Sequence, residues 1–459
     1  VALREAARAR DVTFLAGEEA VSVGLGTGSL VWPVGAVPAL VAVDWSRVHD
    51  VPVALVTGSN GKTTVVRLLA AILAGHGLIV GHTSTEGVNV RGERLAEGDY
   101  SGPSGARLLL RRPDVEAAVL ETARGGLLRR GLSVDRAAVA VVTNVADDHL
   151  GEFGIDSLEQ LADVKLLPTR AVRPGGAVVL NADDPRLRER AGSVGAPIVW
   201  FSLEPSRPEV IRHLAAGGRA AILDGDWLVL ADGARRTPLA AVDDVPVTLG
   251  GAARHNVANA LAAAAAAAAL GVLADVIGRE LRRFGQSADD NLGRASVIEM
   301  GGVRLIIDYA HNPAGLAALA QVMVALPAKR RLVLIGQAGD RPDDAIRALA
   351  RAALEVRPDR VVLKEMESYL RGRRPGEIPG LMASELVRLG MSPDAVSRPG
   401  DEVASVREAL AWARPGDVLL LAVHQDRPAV LALIDRLRTM GWRAGEALPA
   451  QDDAGWRSG

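Results

Sequence analysis

Val51-Pro52-Val53-Ala54-Leu55-Val56-Thr57 runs directly into Gly58-Ser59-Asn60-Gly61-Lys62-Thr63-Thr64, and that into Val65-Val66-Arg67-Leu68-Leu69. A short apolar run stopped by glycine reads as a buried strand, and the apolar spacing after Thr64 reads as a helix. Strand, glycine loop and helix in that order make a phosphate cradle. The glycines let backbone N–H groups turn inward on phosphate oxygens, and the helix N-terminus adds positive potential. Lys62 would reach the outer phosphates, and the Thr63 or Thr64 hydroxyl would hold Mg²⁺. Only Ser59 and Asn60 separate Gly58 from Gly61, so the loop is shorter than the common G-x-x-x-x-G-K-[ST] form. A glycine turn with an incidental lysine is the bland alternative. The strand–loop–helix context favours nucleotide binding.

Outward from the loop, Glu116 to Leu120, Ala137 to Thr143 and Ala177 to Leu180 read as further buried strands between helical stretches. That alternation predicts a parallel α/β sheet, whose strand carboxyl ends line one crevice. Glu121 and His149 would meet there, one ending the run Ala117–Leu120 and the other just past Val141-Val142-Thr143-Asn144. A carboxylate and a neutral imidazole on that edge could hold Mg²⁺ near a γ-phosphate. Taken singly, Glu121 is as well explained by a helix cap or ion pair, and His149 by a surface loop. Lys165, in the helical pattern Leu158 to Lys165, reads on its own as a solvated lysine. A hairpin is expected around Asp224-Gly225, with Trp227 and Val229 on its return arm. The alanine-rich helix from about His255 to Leu270 is expected to close the domain.

Four segments follow from this pass. Residues 1–48 form a small β-rich extension, in which Gly24, Gly26 and Gly28 read as a hairpin turn because no helix pattern follows them. Residues 49–290 are the ATP-binding domain. Residues 291–446 carry a second α/β alternation, with strands at Val303–Ile307, Leu332–Ile335, Val361–Leu363 and Val418–Leu421. Residues 447–459 are a polar, frayed tail. The fold class is α/β: a parallel-sheet P-loop ATPase domain followed by a Rossmann-like domain.

Composition narrows the function. The 459 residues are 49% hydrophobic and 24% charged, as in an ordinary globular protein of two or three domains. A net charge of -2 gives no basic field for nucleic acid or anionic membrane. The absence of cysteine removes thiol nucleophiles, disulfides and cysteine–zinc sites. No secretory signal or membrane span is read, since Ala258–Leu273 is mostly alanine, so the cytoplasm is the expected location. Of the 53 basic residues only Lys62, Lys165, Lys329 and Lys364 are lysines. A lysine that survives such a bias is expected where arginine chemistry fails.

Taken together, Gly58–Thr64, Glu121, Asn144 to His149, Lys165, Asn181-Ala182-Asp183-Asp184-Pro185, Arg254-His255-Asn256-Val257-Ala258-Asn259 and Asp308-Tyr309-Ala310-His311-Asn312-Pro313 resemble, in that order, the motifs of the Mur ligases. That family joins amino acids to carboxylates and includes folylpolyglutamate synthetase. Leu120-Glu121-Thr122-Ala123-Arg124-Gly125-Gly126, Leu128-Arg129-Arg130-Gly131, Asp148-His149-Leu150-Gly151, Gly339-Asp340-Arg341 and Leu370-Arg371-Gly372-Arg373 are similar to its cyanophycin synthetase branch. The resemblance covers roughly residues 50 to 440.

The resemblance implies an ATP-dependent ligase in which Gly58, Ser59, Asn60, Gly61, Lys62, Thr63 and Thr64 bind ATP phosphates and one Mg²⁺. It implies metal coordination by Thr63, Glu121, His149 and a carbamylated Lys165. Asn256 and Asn259 would meet the nucleotide near its base, and Arg294 and Asp308 would close over phosphate and ribose. Thr83, Thr85, Ser101, Ser104, Arg107 and Arg124 fall in the acceptor-binding region, and His311 and Arg341 among substrate-facing residues. If the incoming amine is arginine, Asp340, Glu365 and Glu367 are candidate partners for its guanidinium. The acceptor would be a peptide-like or polymeric acid, activated as an acyl phosphate and attacked by the amine. Domain closure would keep water from the acyl phosphate.

Cyanophycin synthetase carries an ATP-grasp half ahead of its Mur-ligase half, a region that residues 1–48 are too short to supply. A separate synthetase subunit, or a different acceptor, is therefore expected, and a homo-oligomer is compatible with the sequence. The alternatives are a folylpolyglutamate-synthetase-like ligase, a subunit inactive alone, and an unrelated P-loop ATPase.

Overall fold

A computed structural model describes residues 1–147, 150–287, 290–291 and 296–449. The chain divides into two compact units. One comprises Val1–Gly251 with His255–Gln286, and the other Ala252–Arg254 with Ser287–Gly459.

The first unit is built on an 11-stranded sheet. Its centre is a parallel array in the order Arg219–Asp224, Ile198–Ser202, Val172–Asn181, Ala137–Val142, Val53–Thr57, Ala117–Glu121, Val80–Ser84. Trp227–Asp232 and Arg235–Ala241 extend one edge antiparallel, and Gly87–Val90 and Glu93–Glu97 extend the other. The expected hairpin at Asp224-Gly225 forms, and Arg235–Ala241 adds a strand that the sequence reading omitted. Every residue of Val53–Thr57 is buried, which is why the run carries no polar alternation.

Helix Arg254–Ala269 supplies much of the core on one face of this sheet. From Ala260 to Ala267 its side chains are fully buried, so the alanines are a close-packing surface against the Val, Leu and Phe side chains of the sheet. It does not close the unit as expected. Helix Ala274–Arg283 follows and buries Ile277 and Leu281 in the same core.

At the N-terminus, helix Ala2–Ala9 packs with a three-stranded antiparallel sheet, Phe14–Ala16, Ala20–Val23 and Leu30–Pro33. Gly26–Gly28 forms a single 3₁₀ turn between the last two strands, which pair antiparallel with Val23 opposite Leu30. Gly24 needs its left-handed φ of 73°, because a Cβ there would lie 2.2 Å from the Gly28 carbonyl oxygen.

The second unit holds a six-stranded sheet in the order Ser296–Met300, Val303–Asp308, Val418–Ala422, Arg331–Ile335, Arg360–Lys364, Val396–Gly400. All neighbours are parallel except the first pair. Among the described residues no helix is long and apolar enough to cross a membrane.

Candidate active site

Five neighbouring strands of the first unit end at Asn181, Val142, Thr57, Glu121 and Ser84, on one edge of the sheet. The loop Gly58–Gly61 leaves Thr57 there and opens helix Lys62–Gly75, with Gly61 left-handed at φ 85°. The strand end beside it holds the loop in place. Thr143 Oγ1 donates to the Asn60 carbonyl at 2.6 Å, and Asn144 Oδ1 accepts the Asn60 N–H at 3.0 Å. The Ser59 N–H donates to the Asn144 carbonyl at 2.9 Å, and Ser59 Oγ to the Ala146 carbonyl at 2.9 Å. The contact is so close that a Cβ on Gly58 would fall 1.8 Å from Thr143 Oγ1.

A second layer braces the first. Asn181 Nδ2 donates to the Thr143 carbonyl at 2.9 Å, and Asp184 accepts the Val145 N–H at 2.6 Å while capping helix Pro185–Arg190. The Asn181–Pro185 run thus orders the residues that order the loop. Preformed backbone donors need no rearrangement to meet an anion. Lys62 Nζ donates to the Gly58 and Ser59 carbonyls at 3.0 and 2.9 Å, folded within the loop it serves.

Two oxygen donors stand at the loop's mouth. Thr63 Oγ1 donates to Glu121 Oε2 at 2.8 Å, and both residues are buried. A hydroxyl and a carboxylate in contact make a hard, anionic oxygen pair suited to Mg²⁺, which takes few protein ligands and completes its shell with water and phosphate. Asn259 packs on the opposite side of the loop. A Cβ on Gly61 would lie 2.2 Å from its Oδ1, while its Nδ2 donates to Asn256 Oδ1 at 3.0 Å and Asn256 Nδ2 to the Val247 carbonyl at 2.8 Å.

Lys165 corrects its isolated reading as a solvated residue. It lies in helix Leu158–Leu166, started by a Ser157–Gln160 capping box, and is only 3% exposed. His149 and Arg294 lie outside the described residues.

The segments on which the residues expected to face the acceptor lie are joined by backbone hydrogen bonds. The Tyr100 N–H donates to the Ser84 carbonyl at 2.9 Å, and the Ala123 N–H to the Ser101 carbonyl at 3.0 Å. Thr83 and Ser101 are buried, Ser104 is exposed, and Thr85 and Arg107 are half-buried. Ser101 Oγ donates to Asp99 at 2.6 Å. Buried Arg124 pairs with Glu152 at 2.8 Å, and Arg67, on the loop's own helix, pairs with Glu86. Burial, aided by the Arg67 charge, pushes the adjacent His82 imidazole down to about 4.

The second unit gathers its own group on the carboxyl edge of its sheet. His311 Nδ1 lies 3.1 Å from the Tyr309 carbonyl, and Gln337 Nε2 donates to the His311 carbonyl at 3.1 Å. The Val423 N–H donates to the Asp308 carbonyl at 2.8 Å. Asp340 and Glu367 are exposed and Arg341 is buried. Glu365 Oε2 accepts the Gly376 N–H at 2.5 Å, so it is engaged in starting helix Glu377–Arg388. Lys364, one of the four lysines and next to the candidate Glu365, is buried against Glu402 and His424. The sequence reading missed Glu402 and His424. Only the rarity of lysine hinted that something encloses Lys364.

Each unit thus presents the carboxyl edge of a largely parallel sheet, the first with a glycine loop that opens a helix. Residues 56–267 match the Mur ligase middle domain, and residues 293–423 the Mur ligase glutamate ligase domain. The UDP-N-acetylmuramate–L-alanine ligase of Xylella fastidiosa is 33% identical over 383 residues, 80% of this chain and 70% of that protein. The chain belongs to the Mur ligase family. The cyanophycin synthetase of Synechocystis sp. is 40% identical over 338 residues, 74% of this chain but 38% of that protein. The chain therefore spans about two fifths of the length of the cyanophycin synthetases it matches. E. coli FolC in complex with DHPP and ADP shares the fold, with a TM-score of 0.64 and 23% identity over 84% of this chain and 89% of that one.

Proposed function

We propose that the protein is an ATP-dependent amide ligase that joins an amino acid to a carboxylate on a peptide-like, acidic acceptor. The observation that carries this reading is the pinned loop with the buried Thr63–Glu121 pair at its mouth, in a chain related to ligases along most of its length.

A carboxylate is a poor electrophile. Its oxygen attacks the γ-phosphorus of ATP, ADP leaves, and an acyl phosphate results. The amine then attacks the acyl carbon, phosphate departs, and the nitrogen loses a proton as the amide forms. The loop N–H groups and Lys62 hold and neutralise the phosphates, and Thr143 and Asn144 keep those groups aimed. Thr63 and Glu121 would hold Mg²⁺, together with His149 and a carbamylated Lys165. The metal would supply charge neutralisation among the phosphate oxygens. Lys165 is buried, unlike an ordinary solvated lysine, which favours a role inside the site over a surface one. Asn256 and Asn259 would bind the nucleotide from the Gly61 side, and Asp308 and Arg294 are further candidate nucleotide-binding residues. Thr83, Thr85, Ser101, Ser104, Arg107 and Arg124 would face the acceptor. His311, Asp340 and Arg341 would face the amino acid, with Glu365 as a further carboxylate for a cationic side chain. The domain limits proposed are 1–48, 49–290 and 291–446, with residues 447–459 as a tail.

Arginine with an aspartate-rich peptide is the first pair to test, given the cyanophycin synthetase relatives. A separate synthetase subunit is a further partner to test, by co-purification. A cytoplasmic location, where ATP is held, goes with the activity. The decisive experiment screens amino acids against acidic peptides and reads phosphate release. Release that depends on both an amine and a carboxylate supports the ligase, and release indifferent to every pair refutes it.

A further inference from the structure

Lys364 ends strand Arg360–Lys364, Ala422 ends the neighbouring-but-one strand Val418–Ala422, and Glu402 begins helix Glu402–Trp412. All three meet in the interior of the second unit. Lys364 and Glu402 are each 1% exposed and form an ion pair. Lys364 Nζ also donates to the Ala422 carbonyl at 2.5 Å and contacts His424 Nδ1 at 2.7 Å. An ammonium has three N–H donors and no lone pair. Its three partners here match that number, so His424 Nδ1 is an acceptor and carries no proton.

The other face of the imidazole follows. His424 Nε2 lies 3.1 Å from the Ala310 carbonyl oxygen, which can only accept, so Nε2 carries the proton. Glu402 fixes the same residue through the backbone. Its Oε1 accepts the His424 N–H at 2.7 Å and its Oε2 the Asp426 N–H at 2.6 Å. The His424 ring also stands edge-on to Tyr309, centroids 4.8 Å apart, with His311 5.7 Å from Tyr309 and 6.5 Å from His424. Among the described residues, the titratable groups around His424 include Lys364, Glu402, Tyr309, His311 and Asp426. Burial pushes the Lys364 ammonium down and Glu402 opposes that shift.

We propose that Lys364 and Glu402 are positioning residues that lock His424 as its neutral, Nε2-protonated tautomer, and that His424 in turn holds the Tyr309–Asn312 segment in register for ligation. A buried charge pair replaced by apolar groups of similar volume is often neutral or stabilising. Retention of this one, with every donor matched, is explained by what it orients. In open α/β sheets ligands bind beyond the carboxyl ends of strands, and the segment it holds lies there. The functional part rests on the ligase reading above; the tautomer does not.

The experiment therefore has two arms on the full chain. Long-range ¹H–¹⁵N correlation spectra of histidine-labelled protein should show His424 as the neutral Nε2–H form from about pH 6 to 8, the range in which an ordinary imidazole titrates. The K364M/E402Q variant should lose that signature. In the second arm, H424L should lower amine-dependent phosphate release by about 10–100-fold, the range typical when a group that orients another is lost. Its melting temperature should fall, because buried Lys364 and the Ala310 carbonyl each lose a partner, so rates are compared at a temperature well below the transitions of both proteins. H424Q, which offers an acceptor and a donor on one planar group, should restore most of the rate. Nδ1–H or cationic His424 at neutral pH in the wild type overturns the proposal, as does H424L with wild-type kcat and KM. If the wild type releases no phosphate with any amine, the ligase reading falls while the tautomer measurement still decides the lock. If K364M/E402Q does not fold, the H424L and H424Q pair, which keeps both charges, decides it.

Discussion

Gly61→Ala is the sharpest perturbation of the phosphate loop. The residue sits at φ 85°, where an L side chain costs about 1–2 kcal/mol. The new Cβ would also lie 2.2 Å from Asn259 Oδ1. Asn259 is 6% exposed and hydrogen-bonded through Asn256 to the Val247 carbonyl. Moving it aside breaks a buried relay, and each orphaned polar group costs about 1–3 kcal/mol. The expected loss is about 2–5 kcal/mol, a large share of a typical stability of about 5–15 kcal/mol. Urea midpoints at constant m-value measure it, and calorimetric titration of ATP should show weakened binding in parallel. The mechanism is separable from backbone strain by a cycle with Asn259→Ala, which removes the obstructing amide. In the double variant the Gly61→Ala cost should shrink toward the strain alone, giving a coupling of about 1 kcal/mol or more. Additivity within about 0.5 kcal/mol would refute the collision as the cause.

Glu121→Gln keeps an acceptor for Thr63 but removes the charge, so melting should change little while ATP-dependent phosphate release falls by about 100-fold or more; a wild-type rate would take Glu121 out of the metal site. Lys165→Arg cannot form a carbamate, and phosphate release should collapse even when the variant folds, whereas full retained activity would remove the carbamate from the mechanism. Burial pushes the His255 imidazole from 6.5 down to about 4. Between those values the unfolded chain binds a proton that the native state refuses, so this residue's contribution is present above pH 6.5 and is lost as pH falls toward 4, at up to about 1.4 kcal/mol per pH unit. Urea titrations at several pH values should show a shallower acid loss in His255→Gln; identical slopes would count against a neutral buried imidazole.

The strands and the phosphate loop were legible because one sequence pattern carries each. A continuous apolar run can only be a buried parallel strand when glycine stops it after a few residues, and Val53–Thr57 is that case. Strand Arg235–Ala241 was not legible, because its Arg235-Arg236-Thr237-Pro238 half is an edge, and edge strands carry charge and proline in place of an apolar pattern. The alanine helix was placed correctly but given the wrong role as a terminus, since helix Ala274–Arg283 has its apolar residues on one narrow stripe. Within the site, residues that act through backbone atoms left the weakest trace. Thr143 and Asn144 hold the loop by bonds to its peptide groups, and Glu365 spends an oxygen on the Gly376 N–H. None of these pairings follows from spacing, because the partners belong to separate elements of the fold. Asp184, quoted from the sequence only within the Asn181–Pro185 run, did carry a usable signal, since aspartate before proline marks a helix start.

The four lysines show how far chemistry, and not composition, decides where an amine persists. Lys329 is exposed and touches nothing that an arginine could not. The other three are enclosed or half-enclosed. Lys62 reaches two carbonyls of a four-residue turn, a space for a single tetrahedral nitrogen. At Lys364 three acceptors converge on one atom from a helix start, a strand end and an imidazole, and the nearest backbone offers no slack, since a Cβ on Gly336 would lie 2.6 Å from Lys364 Cγ. A planar guanidinium spreads its donors along a fork and cannot point three of them at partners arranged around a point. Lys165 is buried to a similar degree on a helix of the first unit. Three of the four lysines thus sit where the compact geometry of an ammonium, or the reactivity of a free amine, suits the surroundings better than a guanidinium would, and Lys329 is the exception.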